Sequence, residues 1–262
     1  MFLLKINLFE WLKKITAAFN LALSALSCLS LSTIKYHLTV EQMVIVGPES
    51  LSICIVTAFF IGLVFTLQVV KEFLSLDATS IIGAILSLAF IRELSPVLTA
   101  VIIAGRIGSS FTAEIATMKV TDQIDALYLL KTDPLLYLVI PRMIACVTML
   151  PLLNLISLFT SLASSIFTCF IFYNIHPWIF LKSAFSALSY LDFLKSLSKT
   201  IIFGFILSNV SCSWGLTTVG GSKNVGQSTT SSVVTGLLMI FVMDFILSYL
   251  MFNQSNSAIK SL

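Results

Sequence analysis

The chain has 262 residues, 58% hydrophobic and 10% charged, with a mean hydropathy of +1.03. Soluble domains carry about 45–50% apolar and about 25% charged residues, so the composition excludes an ordinary water-soluble domain and implies a polytopic membrane protein. The formal net charge is only +3, with twelve Lys and three Arg, which argues against a nucleic-acid partner.

Residues 1–35 open with "MFLLKINLFEWLKKITAAF". Leu4, Leu8, Trp11, Leu12, Ile15 and Phe19 recur at helical spacing, opposite Glu10, Lys13 and Lys14. That pattern predicts an N-terminal amphipathic helix lying in the membrane interface, with a first membrane span extending to Ser32 as the rival reading. The remainder, 36–262, reads as one membrane domain of about five spans, at 50–70, 80–110, 135–172, 200–217 and 230–252. The second and third are too long for a perpendicular crossing, and Pro96, Pro141 and Pro151 fall within them as expected bends. Residues 178–199 read as a moderately apolar surface segment. Lys and Arg near the span ends favour an N-terminus on the cytoplasmic-type side.

The five cysteines form no CxxC pair and lie mostly in apolar runs, which predicts buried free thiols. His37 and His176 are far apart and lack a carboxylate or cysteine cluster, so no metal site is expected.

Arg92 and Glu93 stand next to each other inside an oily stretch. A charge at mid-bilayer costs about 2.5–3.5 kcal/mol on insertion scales. Such a pair either packs helices together or lines a polar path for a charged headgroup. Adjacent helical residues point about 100° apart, so each has its own direction and need not pair with the other. Asp244, alone in "LMIFVMDFILSYL", bonds a neighbouring helix, is protonated, or helps to line a path.

Residues 113–127 carry Glu114, Met118, Lys119, Thr121, Asp122, Gln123 and Asp125 among apolar Ile115, Ile124 and Leu127. Thr121 is placed to cap a helix. The segment is a surface connector, or a knob that docks a soluble partner. The loop "TTVGGSKNVGQSTT", with Gly220, Gly221 and Gly226, lacks the GxxxxGK[ST] pattern of a phosphate loop. It reads as a tight turn, or as a loop packed beside the docking segment on the cytoplasmic side. No nucleophile–base–acid arrangement is present, so catalysis on this chain is not expected.

"RELSPVLTAVIIAGRIGSSFTAEIATMKVTDQIDAL", "DPLLYLVIPRMIA" and "GGSKNVGQSTTSSVV…D" resemble the MlaE permease family from about residue 40 onward. These are membrane subunits of lipid ABC transporters in Gram-negative envelopes and plastids. Ser95 stands where many members have Gly. The resemblance implies an all-α homodimeric permease with five spans per subunit and an N-terminal interfacial helix. It implies that Glu114 to Leu127 form a coupling helix seated on a separate ATPase subunit, so that ATP is bound there and no cofactor is held by this chain. It further implies an MCE-type lipid-binding partner, lipid substrates, and Arg92 and Glu93 as the lipid-facing polar pair.

The Lys-heavy composition resembles that of a plastid-encoded member, so the plastid inner envelope membrane is expected, with a bacterial inner membrane as the alternative. A secondary transporter driven by an ion gradient through Arg92, Glu93 and Asp244 is the competing functional reading.

Overall fold

Inside hydrocarbon each backbone N–H and C=O must be bonded within the protein, so an apolar, charge-poor run folds as a helix. The computed structural model describes residues 2–28, 35–76 and 79–252, and among them there is no strand. The α-helices are α1 (Phe2–Cys28), α2 (Tyr36–Val46), α3 (Pro48–Leu74), α4 (Ile82–Ala89), α5 (Ser95–Ile103), α6 (Ser109–Val120), α7 (Gln123–Leu129), α8 (Ile140–Tyr173), α9 (Pro177–Ala187), α10 (Tyr190–Leu216) and α11 (Ser222–Phe252). Five helical stretches are long and apolar enough to cross a membrane: Tyr36–Leu74, Ile82–Val120, Leu135–Tyr173, Tyr190–Leu216 and Ser222–Met251. The chain is an all-α, multi-pass membrane protein.

The long second and third stretches stay helical by widening rather than breaking. Phe90–Leu94 and Leu135–Val139 are π-turns, in which Ser95 N–H bonds the Phe90 carbonyl and Ile140 N–H bonds the Leu135 carbonyl. Each turn sits just ahead of a proline, Pro96 or Pro141. Proline supplies no N–H, and the added residue absorbs the mismatch, as π-bulges do. A third π-turn, Ala104–Gly108, joins α5 to α6. Pro151 lies within α8.

Several boundaries differ from expectation. The fourth span starts at Tyr190 rather than 200, because Asp192, Ser196 and Lys199 turn inward instead of facing water. Within 178–199, α9 lies outside the five long apolar stretches and leaves Trp178, Ile179 and Phe185 exposed, whereas Tyr190–Lys199 are the first turns of α10 rather than surface. The fifth span starts at Ser222 rather than 230, and Gly226 lies in its helix rather than in a loop. Residues 113–127 do not form one helix. α6 continues from the second span to Val120, and α7 begins at Gln123. The break is Asp122, whose φ of 57° is left-handed.

The chain divides into two compact units. The first comprises Met1–Glu49, Ile103–Met149 and Ile202–Ile240. Here Trp11, Ile15 and Ala18 of α1 pack on Val210 and Trp214 of α10, and Trp11 Nε1 donates to Thr235 Oγ1 at 3.0 Å. Ala25 packs with Ile115, Ile124, Val139, Met143 and Cys212. The inward stripe of α1 is thus Trp11, Ala18, Ala22 and Ala25, whereas Leu12 and Phe19 of the expected apolar face are exposed. The side chains of Leu4, Leu8 and Glu10 lie outside the described residues.

The second unit comprises Ser50–Ile102, Leu150–Ile201 and Phe241–Leu262. Val70, Ile82, Leu86, Phe90, Cys169 and Phe180 form its apolar cluster. Gly62 lets α3 approach α8 so closely that a Cβ would meet Ser164 Oγ and lie 2.7 Å from the Ser161 carbonyl. Cys146, Cys169 and Cys212 are buried free thiols, as expected, Cys54 is buried too, and the side chain of Cys28 lies outside the described residues.

Candidate functional site: a buried ion cluster

In the second unit, Arg92 and Glu93 occupy the π-turn between α4 and α5. Their side chains take different partners, as their angular separation requires. Arg92 reaches Asp192 of α10, with Nε 3.1 Å and Nη2 3.0 Å from Oδ1. Glu93 accepts from Lys199 of α10 at 3.0 Å, and Ser248 of α11 donates to its two carboxylate oxygens at 3.0 and 3.1 Å. Asp244 of α11 accepts from the same ammonium at 2.9 Å.

Lys199 is the centre of the cluster. Its side chain is fully buried, and Nζ lies 2.7–3.0 Å from the Arg92 carbonyl, Glu93 Oε2, Asp244 Oδ1 and Ser248 Oγ. The Arg92 carbonyl is available for a simple reason. In a regular helix it would accept from residue 96, and residue 96 is proline. Thus one ammonium ties the second, fourth and fifth spans together at their polar points. Lys199 lies nine residues, about 14 Å, inside its helix, and Asp192 lies in the first turn, so the cluster runs inward from the start of α10. Charges at such depth are stable when paired and hydrogen-bonded.

A second polar chain lies alongside. Ser95 Oγ donates to Asn154 Oδ1 at 2.6 Å, and Asn154 Nδ2 donates to Ser196 Oγ at 3.1 Å. Glu93 is the most exposed member of the ion cluster, with 43% of its side chain accessible, against 5% for Asp192. Glu93 is therefore the least enclosed member of the cluster, although Lys199 and Ser248 hold its carboxylate.

The structure unites Arg92, Glu93 and Asp244, but through two residues the sequence reading did not single out, Asp192 and Lys199. A signal was there. Asp192, Ser196 and Lys199 are spaced i, i+4, i+7, one face of a helix. It was hidden by reading 178–199 as surface, which separated those residues from the spans.

In the first unit, the expected docking segment has an internal framework. Glu114 Oε2 accepts from Arg142 Nη2 at 2.7 Å, and Arg142 Nη1 donates to the Leu138 carbonyl within the π-turn before Pro141. The Arg142 guanidinium also sits over the Phe111 ring. Met118 is half-buried against Ile115, Ile124 and Met143. Lys119 Nζ donates to Asp125 Oδ1 at 3.0 Å across the α6–α7 break.

Thr121 does not cap α7. It closes α6, and its hydroxyl donates back to the Thr117 carbonyl. Asp122 and Gln123 are exposed at the break, and α7 leaves Tyr128, Leu129 and Leu130 exposed beside them. Gly220 makes the turn before α11 with φ of 109°, a conformation glycine adopts freely, and Asn224 Nδ2 donates to the Val219 carbonyl across it. Gly221 completes the turn, and Gly226 lies on an open helix face. Among the described residues, no three His, Cys, Asp or Glu side chains are grouped to hold a metal ion.

These features can be compared with known proteins. The family model "Permease MlaE" matches residues 39–250. A probable ABC transporter permease protein, ycf63, of Pyropia yezoensis is 54% identical over 98% of both chains. A probable ABC transporter permease protein of Synechocystis sp. is 51% identical over 92% of both chains. The chloroplastic protein TRIGALACTOSYLDIACYLGLYCEROL 1 of Arabidopsis thaliana is 44% identical over 87% of this chain and 65% of its own length. With relatives of this kind, the chain is a multi-pass protein of a plastid or bacterial membrane. It belongs to the MlaE permease family, and its relatives in Pyropia and Synechocystis carry the name of probable ABC transporter permeases.

Proposed function

We propose that this chain is the membrane subunit of an ABC transporter that moves phospholipid or a related lipid between envelope membranes. Two copies form the transport path, and a separate ATPase subunit drives it. The observation that carries the reading is the buried cluster of Arg92, Glu93, Asp192, Lys199 and Asp244. Charged side chains inside spans are costly, and such residues commonly mark a substrate or ion path. Glu93 offers the exposed polar edge to a headgroup, and apolar span faces take acyl chains. Arg92 and Asp244 line the path by holding that edge in place.

The α6–α7 segment supports the role of coupling element. Lys119–Asp125 spans its break at Asp122, and Glu114–Arg142 ties α6 to α8. Asp122, Gln123 and the exposed Tyr128, Leu129 and Leu130 are left for an ATPase surface. The turn at Gly220 and Gly221, with Gly226 beyond it, belongs to the same cytoplasmic side in this reading. An MCE-type protein receives or delivers the lipid on the far side. Relatives in Pyropia and Arabidopsis favour the plastid inner envelope as the site of action.

The test is purification of the tagged protein in gentle detergent, with mass spectrometry of co-purifying chains and lipids. An ATPase chain at near-equal stoichiometry, lost on Asp122→Lys, supports the reading. Recovery of the protein alone, under conditions that preserve other membrane complexes, overturns it.

A further inference from the structure

In the second unit, α3, α5 and α8 meet along a ladder of polar side chains. One rung is closed directly, with Ser95 Oγ 2.6 Å from Asn154 Oδ1. Another is closed by Thr66 and Ser165, whose hydroxyls are 2.8 Å apart. Thr99 lies one turn beyond Ser95, and Ser157 about one turn beyond Asn154. Both are buried, at 0% and 4% exposure, and among the described residues neither Thr99 Oγ1 nor Ser157 Oγ has a hydrogen-bond partner.

Neighbouring hydroxyls behave differently. Thr66, Ser161 and Thr168 each donate to a carbonyl three or four residues earlier. Thr99 and Ser157 forgo that bond, and both line one small void of about 10 Å³ with Ala58, Phe90, Ser95 and Ser161. A buried water needs about 10–15 Å³ and two to four polar partners. The space is just large enough for one water, and Ser95, Thr99, Ser157 and Ser161 supply polar partners around it. Its lining holds no carboxylate to attract a cation, and its size excludes any lipid group.

We propose that a single water molecule binds here and bridges the second span to the third. The hydroxyls of Thr99 and Ser157 donate to it, and it donates to the remaining lone pairs of Ser95 Oγ and Ser161 Oγ. Ser95 and Ser161 already spend their own protons on Asn154 and on the Leu158 carbonyl, so acceptor capacity is what they have left. The bridge sits just past the π-turn that carries Arg92 and Glu93.

Thermal unfolding of the chain in lipid nanodiscs separates this from an ordinary packing defect. Thr99→Val and Ser157→Ala each lower the midpoint, the double variant falls no further than the lower single, and Thr99→Ser stays near wild type. Thr99→Val that leaves the midpoint unchanged or raises it overturns the proposal, because removing a truly unpartnered buried hydroxyl relieves a penalty. A density map of the wild-type protein that resolves internal waters gives a second, independent reading. It shows a peak within hydrogen-bonding distance of both oxygens, and an empty void in such a map also overturns the proposal.

Discussion

Lys199 Nζ lies 2.9 Å from the backbone carbonyl of Arg92, the carbonyl that Pro96 leaves without its helical donor. A bend signal and a charge signal in the sequence are therefore one device. Proline opens the helix, the π-turn redirects Arg92 and Glu93, and a lysine from another span fills the gap. The same ammonium then holds Glu93 and Asp244.

Removing that ammonium leaves two carboxylates without their shared cation. Breaking a buried pair in this way costs about 3–5 kcal/mol. Lys199→Met is expected to lower the unfolding midpoint and the yield of assembled protein sharply. Adding Asp244→Asn to Lys199→Met recovers part of the loss, and a double-mutant cycle measures the coupling.

Pro96→Ala restores an N–H at residue 96, which competes with Lys199 for the Arg92 carbonyl. The expected result is a protein that still inserts and assembles but has a weakened link between the second and fourth spans. In a cycle with Lys199→Met, the Pro96→Ala background should show a smaller loss of stability than the wild-type background does.

Gly62→Ala forces a methyl group against Ser164 Oγ and the Ser161 carbonyl. Overpacking of this kind costs about 1–3 kcal/mol. Unfolding in nanodiscs should show that loss, and Ser164→Ala should relieve only the side-chain part, because the Ser161 backbone remains in the way.

The number of spans and their helical nature were legible because hydrocarbon allows little else, and Arg92, Glu93 and Asp244 stood out because charge is rare in such runs. Asp192 and Lys199 were not legible in the same way. They sit where the apolar run thins, and only helical phase places Lys199 on the face of Ser196 and Asp192. Glu114 was legible as a functional candidate but not as the partner of Arg142, since 28 residues separate them and only the fold brings them together. The left-handed turn at Asp122 was hidden too, because helix-forming neighbours on both sides read as one continuous helix.

Those last two residues call for different tests. Glu114→Gln keeps an acceptor oxygen but removes the charge paired with an Arg142 side chain that is only 7% exposed, so it should destabilise the protein as well as alter coupling. Asp122→Gly keeps the left-handed turn while deleting an exposed charge. It should leave the unfolding midpoint unchanged or slightly raised, and any loss of ATPase binding then reports docking alone. Asp122→Val strains the turn and should lower the midpoint.

The most direct test of the central claim is transfer of a labelled phospholipid in proteoliposomes containing this chain, with and without its co-purified ATPase. The account predicts transfer that requires both the ATPase and ATP, ignores protonophores, and is lost in Glu93→Gln while assembly persists. Transfer that proceeds without the ATPase and follows an imposed proton gradient would contradict it.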